Sequence, residues 1–376
     1  MKNTGTHDIF FNALLNRAID GAYSECAGCV FTKELDKVWL TVNRTCNFRC
    51  PYCYAETTNY KDEMPLDLAK DVISFAKSMG AKAAILIGGE PLLYSKLDEI
   101  VSFINDKGMR VVVVTNGLEI TNKKIQNLMD NHKIHAIGFS VKGWNEQSYF
   151  EQTKVHVFER VKKAMSIFAK SDVNGSYSFV LTKDTHDKLK EVAEFVCKDT
   201  KRKLKFILCN PVVWKDGKID GSHMVPVEEL VESFTKQYAE VNDILQGRLV
   251  LQQSLPMCVW SSDFIEHLQA LQQIQFGCNI RSQKGLAFGI HGEVLLCNAI
   301  ADFPIAQFGK DFVDRESFVS FINSENSMKY FNKIFKYPLK QCDMCDRRHT
   351  CFGGCPFKWF VYSVAECYRL IGSKCE

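Results

Sequence analysis

Hydrophobic positions along the chain alternate between two textures. Runs rich in β-branched and aliphatic residues, KVWLTVN (37–43), AAILIGG (83–89), RVVVVTNG (110–117), HAIGFSV (135–141), GSYSFVLT (175–182) and KLKFILCNP (203–211), have few polar breaks. Between them lie stretches with apolar residues three and four apart, such as LDLAKDVISFAKSMG (66–80) and HVFERVKKAMSIFAKS (156–171). The first texture suits strands covered on both faces and the second suits amphipathic helices, so the pattern predicts six βα units around a parallel sheet, an α/β fold. Polar residues just after such strands lie at the C-terminal rim, where barrel enzymes place their chemistry. Here the rim carries Asn43 to Cys53, Gly88 to Pro91, Thr115 to Gly117 and Ser140 to Gly143.

After residue 211 the texture changes to a turn-rich stretch, WKDGKIDGSHM, and then a long helical pattern over 226–245. GLAFGIHGEVLLC (285–297) reads as a β-hairpin turning at HGE, followed by helices and a cysteine-dense tail. The expected divisions are an N-terminal extension (1–36), a barrel core (37–211), a bridging or substrate-gripping segment (212–277) and a C-terminal cysteine-rich domain (278–376).

Composition narrows the class. The 47 basic and 44 acidic side chains are nearly balanced and scattered, so no nucleic-acid footprint is expected. No apolar run approaches the roughly 18 residues of a membrane span, and the N-terminus lacks a secretory signal pattern, so a soluble cytoplasmic protein is expected. The anomaly is 16 cysteines, because a reducing compartment disfavours disulfides and leaves metal binding as their main use. Cys46, Cys50 and Cys53 cluster early; Cys278, Cys297, Cys342, Cys345, Cys351, Cys355, Cys367 and Cys375 crowd the end.

CNFRCPYC spaces Cys46, Cys50 and Cys53 as C-x3-C-x2-C, with Tyr52 just before the last. Three thiolates leave one iron of a cubane cluster open to another ligand, whereas a structural zinc site would usually offer a fourth nearby Cys or His. Zinc or redox chemistry is the alternative. This loop after the first strand resembles the radical S-adenosylmethionine (SAM) superfamily. That resemblance implies a partial (β/α)6 TIM-like barrel, a 4Fe-4S cluster on the three cysteines, and SAM as cofactor. Gly88-Gly89-Glu90-Pro91 resembles the family's GGE motif for the SAM amino group, the glycines admitting close approach and the carboxylate complementing an ammonium. Asn116, within Thr115-Asn116-Gly117, and Ser140 and Lys142, within Ser140-Val141-Lys142-Gly143, resemble positions contacting the methionine and ribose parts. Tyr52 is expected near the adenine. Each of these positions also has a plain turn or packing reading.

The late cysteines resemble the SPASM domain of peptide-modifying radical SAM enzymes, which binds two auxiliary 4Fe-4S clusters. The resemblance implies Cys278, Cys297 and Cys355 for the first cluster, and Cys342, Cys345, Cys351 and Cys375 for the second, with Cys367 as the alternative last ligand. The first cluster then has an open iron or is closed by a distant group such as Cys258. One zinc in the C-x2-C-x5-C-x3-C run is the alternative. Cys26, Cys29, Cys197, Cys209, Cys258 and Cys367 remain, most read as small buried hydrophobes.

The resemblance implies an enzyme that cleaves SAM reductively and abstracts a substrate hydrogen, with a flavodoxin or ferredoxin as external one-electron donor. The favoured substrate is a ribosomally made peptide, modified by cross-linking, thioether formation, dehydrogenation or epimerisation. Some 36 residues precede the first strand, so a separate leader-recognition protein or leader-independent binding is expected. A small-molecule dehydrogenase or decarboxylase acting on a sugar or nucleoside is the alternative. Anaerobic sulfatase maturation is disfavoured, because that subfamily places an aspartate base where Asn298 follows Cys297.

Overall fold

The computed structural model describes residues 34–53, 61–213, 218–252, 254–275, 278, 284–325, 327, 342 and 344–362. The six apolar runs form β1 (Lys37–Asn43), β2 (Ala83–Gly88), β3 (Arg110–Thr115), β4 (Ala136–Val141), β5 (Asn174–Leu181) and β6 (Lys203–Leu208), each parallel to the next. Helices cover them: Leu66–Ser78 buries Ala69, Val72, Ile73, Phe75 and Ala76, while Phe158–Lys170 buries Val161, Ala164, Met165 and Phe168. Each apolar stripe recurs at the helical period, so burying it against the sheet removes one continuous face from water.

The sheet does not stop at the sixth strand. After the small antiparallel hairpin of β7 (Val212–Val213) and β8 (Ile219–Asp220), the chain runs through the helix Val227–Ile244. It then adds β9 (Leu249–Gln252) beside β6 and β10 (Ile274–Gln275) beside β9, both parallel. At the opposite end, β11 (Gly285–Phe288) pairs in parallel with β1, with Lys37 opposite Gly285. The expected hairpin is present, with β12 (Glu293–Leu295) antiparallel to β11, and β13 (Ala306–Gln307) completes the edge. The segment read as a bridge and the cysteine-rich region thus both contribute strands to one mixed sheet.

Gly285 carries the close approach of β11 to β1, since a Cβ there would lie 2.4 Å from the Trp39 ring. Phe288, Phe312 and Phe318 pack around Phe75 of the first helix at ring-centroid distances of 6.1, 5.2 and 5.3 Å, fixing the C-terminal region to the barrel wall. Residues of β1 and β11 and residues of β6 and β9 line a common cavity, so the two flanks of the curved sheet face each other across a seam.

Candidate active site

The loop Arg44–Cys53 leaves β1 and crosses the end of β2. Its crossing explains the paired glycines: a Cβ on Gly88 would sit 2.4 Å from Asn43 Oδ1, and one on Gly89 would sit 2.3 Å from the Thr45 carbonyl oxygen. Gly89 N–H donates to Asn43 O at 3.0 Å and Glu90 N–H to Thr45 O at 2.7 Å. The glycines therefore admit the cysteine loop's own backbone, a tighter requirement than the ligand approach expected from sequence.

Glu90 is 1% exposed and acts as a junction. Its carboxylate accepts from Leu92 N at 3.0 Å, Thr115 Oγ1 at 2.6 Å and Asn116 N at 2.7 Å, and its carbonyl accepts from Asn43 Nδ2 at 2.9 Å. Three of about four acceptor positions on the carboxylate are thus taken within the chain, leaving one for a cation such as an ammonium. Burial pushes this carboxyl up to about 7, against the downward pull of those three bonds. Asn116 in turn donates from Nδ2 to Asn47 Oδ1 at 2.6 Å and lies 4.0 Å from Cys46 Sγ, joining the β3 end to the cysteine loop. Gly117 follows at φ +86°, where a Cβ would fall 2.1 Å from Phe139.

Cys46, Cys50 and Cys53 are half-buried, and each stands close enough to another for the charges to couple. Burial pushes Cys46 up to about 11 and Cys50 up to about 12, while the Lys142 ammonium pulls both down. Lys142 reaches over the Tyr52 ring, with Nζ 5.5 Å from its centroid, and its N–H donates to Tyr149 Oη at 3.2 Å. Burial also lifts the Tyr52 phenol well above its ordinary value. Ser140 is half-buried within β4, opposite Ser178 of β5. The structure therefore gathers Cys46, Cys50, Tyr52, Glu90, Asn116 and Lys142 at one rim. Among the described residues no group of three or more His, Cys, Asp or Glu converges to hold a single metal ion. The donor set of several thiols with a nearby cation fits an anionic, thiolate-ligated cluster, and loading it would displace protons from thiols that burial keeps protonated.

Two residues at this rim escaped the motif reading. Cys209, one past β6, is buried, and its thiol is pushed up to about 11 by burial while Lys358 and Lys142 draw it down. His223 meets the Tyr52 ring edge-on at 6.4 Å, carried there by the turn after β8. Neither has a motif around it; the signal for Cys209 was its position directly after a strand.

The second cysteine group lies at the seam. A cavity of about 210 Å³ is lined by Cys278, Cys297, Cys351 and Cys355, with Trp39, Leu208 and Asn298 among its other walls. Cys355 and Cys278 each stand close enough to Cys297 for the charges to couple, and burial pushes Cys297 up to about 12. Cys351, grouped by resemblance with Cys342 and Cys345, lines this cavity too, and its Sγ accepts from Met257 N at 3.2 Å. Cys342 is half-buried and Cys345 exposed on the preceding turn. Asn298 Oδ1 is buried without a hydrogen-bond partner. Cys375, Cys367, Cys26 and Cys29 lie outside the described residues.

With this geometry in view, residues 40–196 match the model of the Radical SAM superfamily. Over most of its length it shares the fold of SuiB from Streptococcus suis bound to precursor peptide SuiA, with a TM-score of 0.66 at 15% identity, covering 89% of this chain and 74% of that one. It is also similar to anSMEcpe with bound AdoMet, with a TM-score of 0.65 at 14% identity, covering 91% of this chain and 94% of that one. Among curated relatives, the Fe-coproporphyrin III synthase of Methanosarcina barkeri is 31% identical over 111 residues, 29% of this chain and 27% of that protein. The S-adenosylmethionine-dependent nucleotide dehydratase of Selenomonas ruminantium is 32% identical over 113 residues, 30% of this chain and 41% of that protein. The matches thus span well under half of these two relatives. Among the described residues no helix is long and apolar enough to cross a membrane.

Proposed function

We propose that this protein is a radical SAM enzyme that modifies a peptide, with Cys46, Cys50 and Cys53 holding a 4Fe-4S cluster and two auxiliary clusters held by the C-terminal cysteines. The observation that carries the reading is the rim itself. The three-cysteine loop, the Glu90–Thr115–Asn116 junction and Lys142 meet at the ends of consecutive parallel strands within the matched domain. When bound and reduced by an external one-electron donor, such a cluster would supply the electron for cleaving SAM to methionine and a 5′-deoxyadenosyl radical able to take a substrate hydrogen.

The chain's own residues have separable tasks. Glu90 offers its remaining acceptor position to the SAM ammonium, and Asn116 fixes the loop bearing Cys46. Lys142 and Tyr52 wall the site beside the thiols, Lys142 balancing their negative charge when metal is bound. The hairpin β7–β8 and His223 form the flank on which a substrate would rest. Cys278, Cys297 and Cys355 are assigned to the first auxiliary cluster and Cys342, Cys345, Cys351 and Cys375 to the second, as the resemblance implies.

Peptide chemistry is favoured because the likeness to the peptide-bound structure extends over 89% of the chain, whereas the nucleotide dehydratase match is limited to 30%. A nucleotide or nucleoside substrate is the second reading, supported by that match and by the GTP 3′,8-cyclase of Clostridium perfringens, 24% identical over 57% of this chain. The test is anaerobic incubation of reconstituted protein with SAM, reductant and candidate peptides or nucleotides, read by high-resolution mass spectrometry. A peptide with altered mass, or with deuterium taken from solvent, supports the first reading. A modified nucleotide with untouched peptides overturns it.

A further inference from the structure

Among the described residues two Lys or Arg side chains are buried, and they are balanced very differently. Arg202 is 4% exposed and is held by Asp199 at 3.0 Å, with further bonds to the carbonyls of Ser171 and Val173. Lys358 is 1% exposed, on the turn Pro356–Phe360 that begins immediately after Cys355. Its ammonium donates to the carbonyl oxygens of Leu208, at 3.4 Å, and of Cys209, at the end of β6. Its own backbone N–H donates to the Cys355 carbonyl oxygen at 3.1 Å, and the ionisable groups it couples to are the thiols of Cys355 and Cys209. Two carbonyl dipoles are a poor substitute for the water an ammonium loses, and such a charge normally requires an anion close by. Protonated thiols provide none; a metal-bound thiolate at Cys355 provides one.

We infer that Lys358 is the counter-cation of the auxiliary iron–sulfur cluster at Cys355, raising that cluster's reduction potential while joining it to the end of β6. The inference rests on the auxiliary-cluster reading above. Its physical basis is that a fixed cation beside a cluster stabilises the more negative, reduced form, so the couple moves to higher potential. Lys358 thus ties the residue after β6 to the turn after Cys355: its ammonium donates to Cys209 O and its backbone N–H to Cys355 O.

The test uses full-length, anaerobically reconstituted protein with Cys46, Cys50 and Cys53 replaced by Ala, so that only auxiliary clusters report. Iron and sulfide per chain are measured, followed by a redox titration monitored by electron paramagnetic resonance. Lys358→Met and Lys358→Gln are expected to shift one midpoint to more negative potential at unchanged iron content, while Lys358→Arg stays near the parent. Gln still donates hydrogen bonds to the two carbonyls, so parent-like titration of Lys358→Gln at full iron overturns the inference and leaves Lys358 a mere tether. If the uncharged variants lose iron, they are remade with Cys46, Cys50 and Cys53 intact. A normal SAM-responsive signal together with iron retention in Lys358→Arg supports the charge requirement, and equal loss in Lys358→Arg overturns it. Absence of iron in the parent itself overturns the auxiliary-cluster reading, an outcome visible before any Lys358 variant is examined.

Discussion

The rim and the seam are both cysteine-lined, yet they are built on opposite principles. At the rim, Cys46, Cys50 and Cys53 come from one short loop, and the cation beside them, Lys142, is half-buried over an aromatic ring. At the seam, Cys278, Cys297 and the Cys351–Cys355 pair come from three separate segments assembled by the closure of the sheet, and the cation, Lys358, is sealed from solvent. A local loop can be completed by the ligand it awaits, because its glycine-backed path is already fixed by β1 and β2. A site gathered from distant segments depends on the whole fold and, in return, holds its charges in a drier medium where each counts for more.

The strongest way to break the contrast is to remove one sulfur from each site. Cys50→Ala is expected to abolish 5′-deoxyadenosine formation and remove about four irons per chain, whereas Cys355→Ala is expected to lose a similar amount while retaining SAM cleavage and losing product. Liquid chromatography of the nucleoside and an iron assay check both; retained 5′-deoxyadenosine in Cys50→Ala would overturn the rim assignment. Next in size, Gly117→Ala forces a Cβ toward Phe139 from a left-handed backbone and should cost about 3 kcal/mol, read as a lower denaturant midpoint.

Glu90 sharpens the comparison by pH. Its folded-state pKa is raised from 4.5 to about 7, so in the free protein it contributes stability at acid pH that is lost as pH climbs from about 4.5 through about 7. An ammonium ligand prefers the ionised carboxylate, so SAM affinity should rise through the same window. Glu90→Gln should flatten both profiles and weaken SAM by about tenfold, roughly 1.4 kcal/mol, as calorimetry at pH 6 and 8 would show. An affinity independent of pH in the parent would remove Glu90 from the amine site. The smallest effect is expected from Asn116→Ala, which removes the bond to Asn47 and should raise the SAM dissociation constant by a few-fold, in keeping with about 1 kcal/mol per hydrogen bond.

How much of this was readable in the residue order follows from the same contrast. The six strands were legible because their Val, Ile and Leu runs are long and bounded by turn residues, and β1 begins and ends where the pattern places it, at Lys37 and Asn43. β9 and β10 were not, since four and two residues carry no period to detect and their placement is decided by pairing with β6 and with each other. At the rim, the cysteine loop and Glu90 announced themselves by spacing, but the role of Gly88 and Gly89 in passing the loop's backbone is a tertiary fact. Cys209 and Lys358 stayed hidden because each looks ordinary in its own neighbourhood, a thiol after a strand and a lysine among aromatics. Only the fold sets them side by side.

The parallel pairing of β1 with β11 has a consequence for how the molecule is made. The strand that launches the cysteine loop is among the first parts of the described chain to leave the ribosome, and its outer edge waits for Gly285–Phe288 before it is paired. Contacts of such long sequence separation form late and slowly, and an open, apolar strand edge invites association with other chains meanwhile. Assembly of the SAM-cleaving centre on a finished scaffold is therefore tied to completion of the cysteine-rich end, so a truncated or stalled chain would expose a half-built barrel prone to aggregation before it could bind iron.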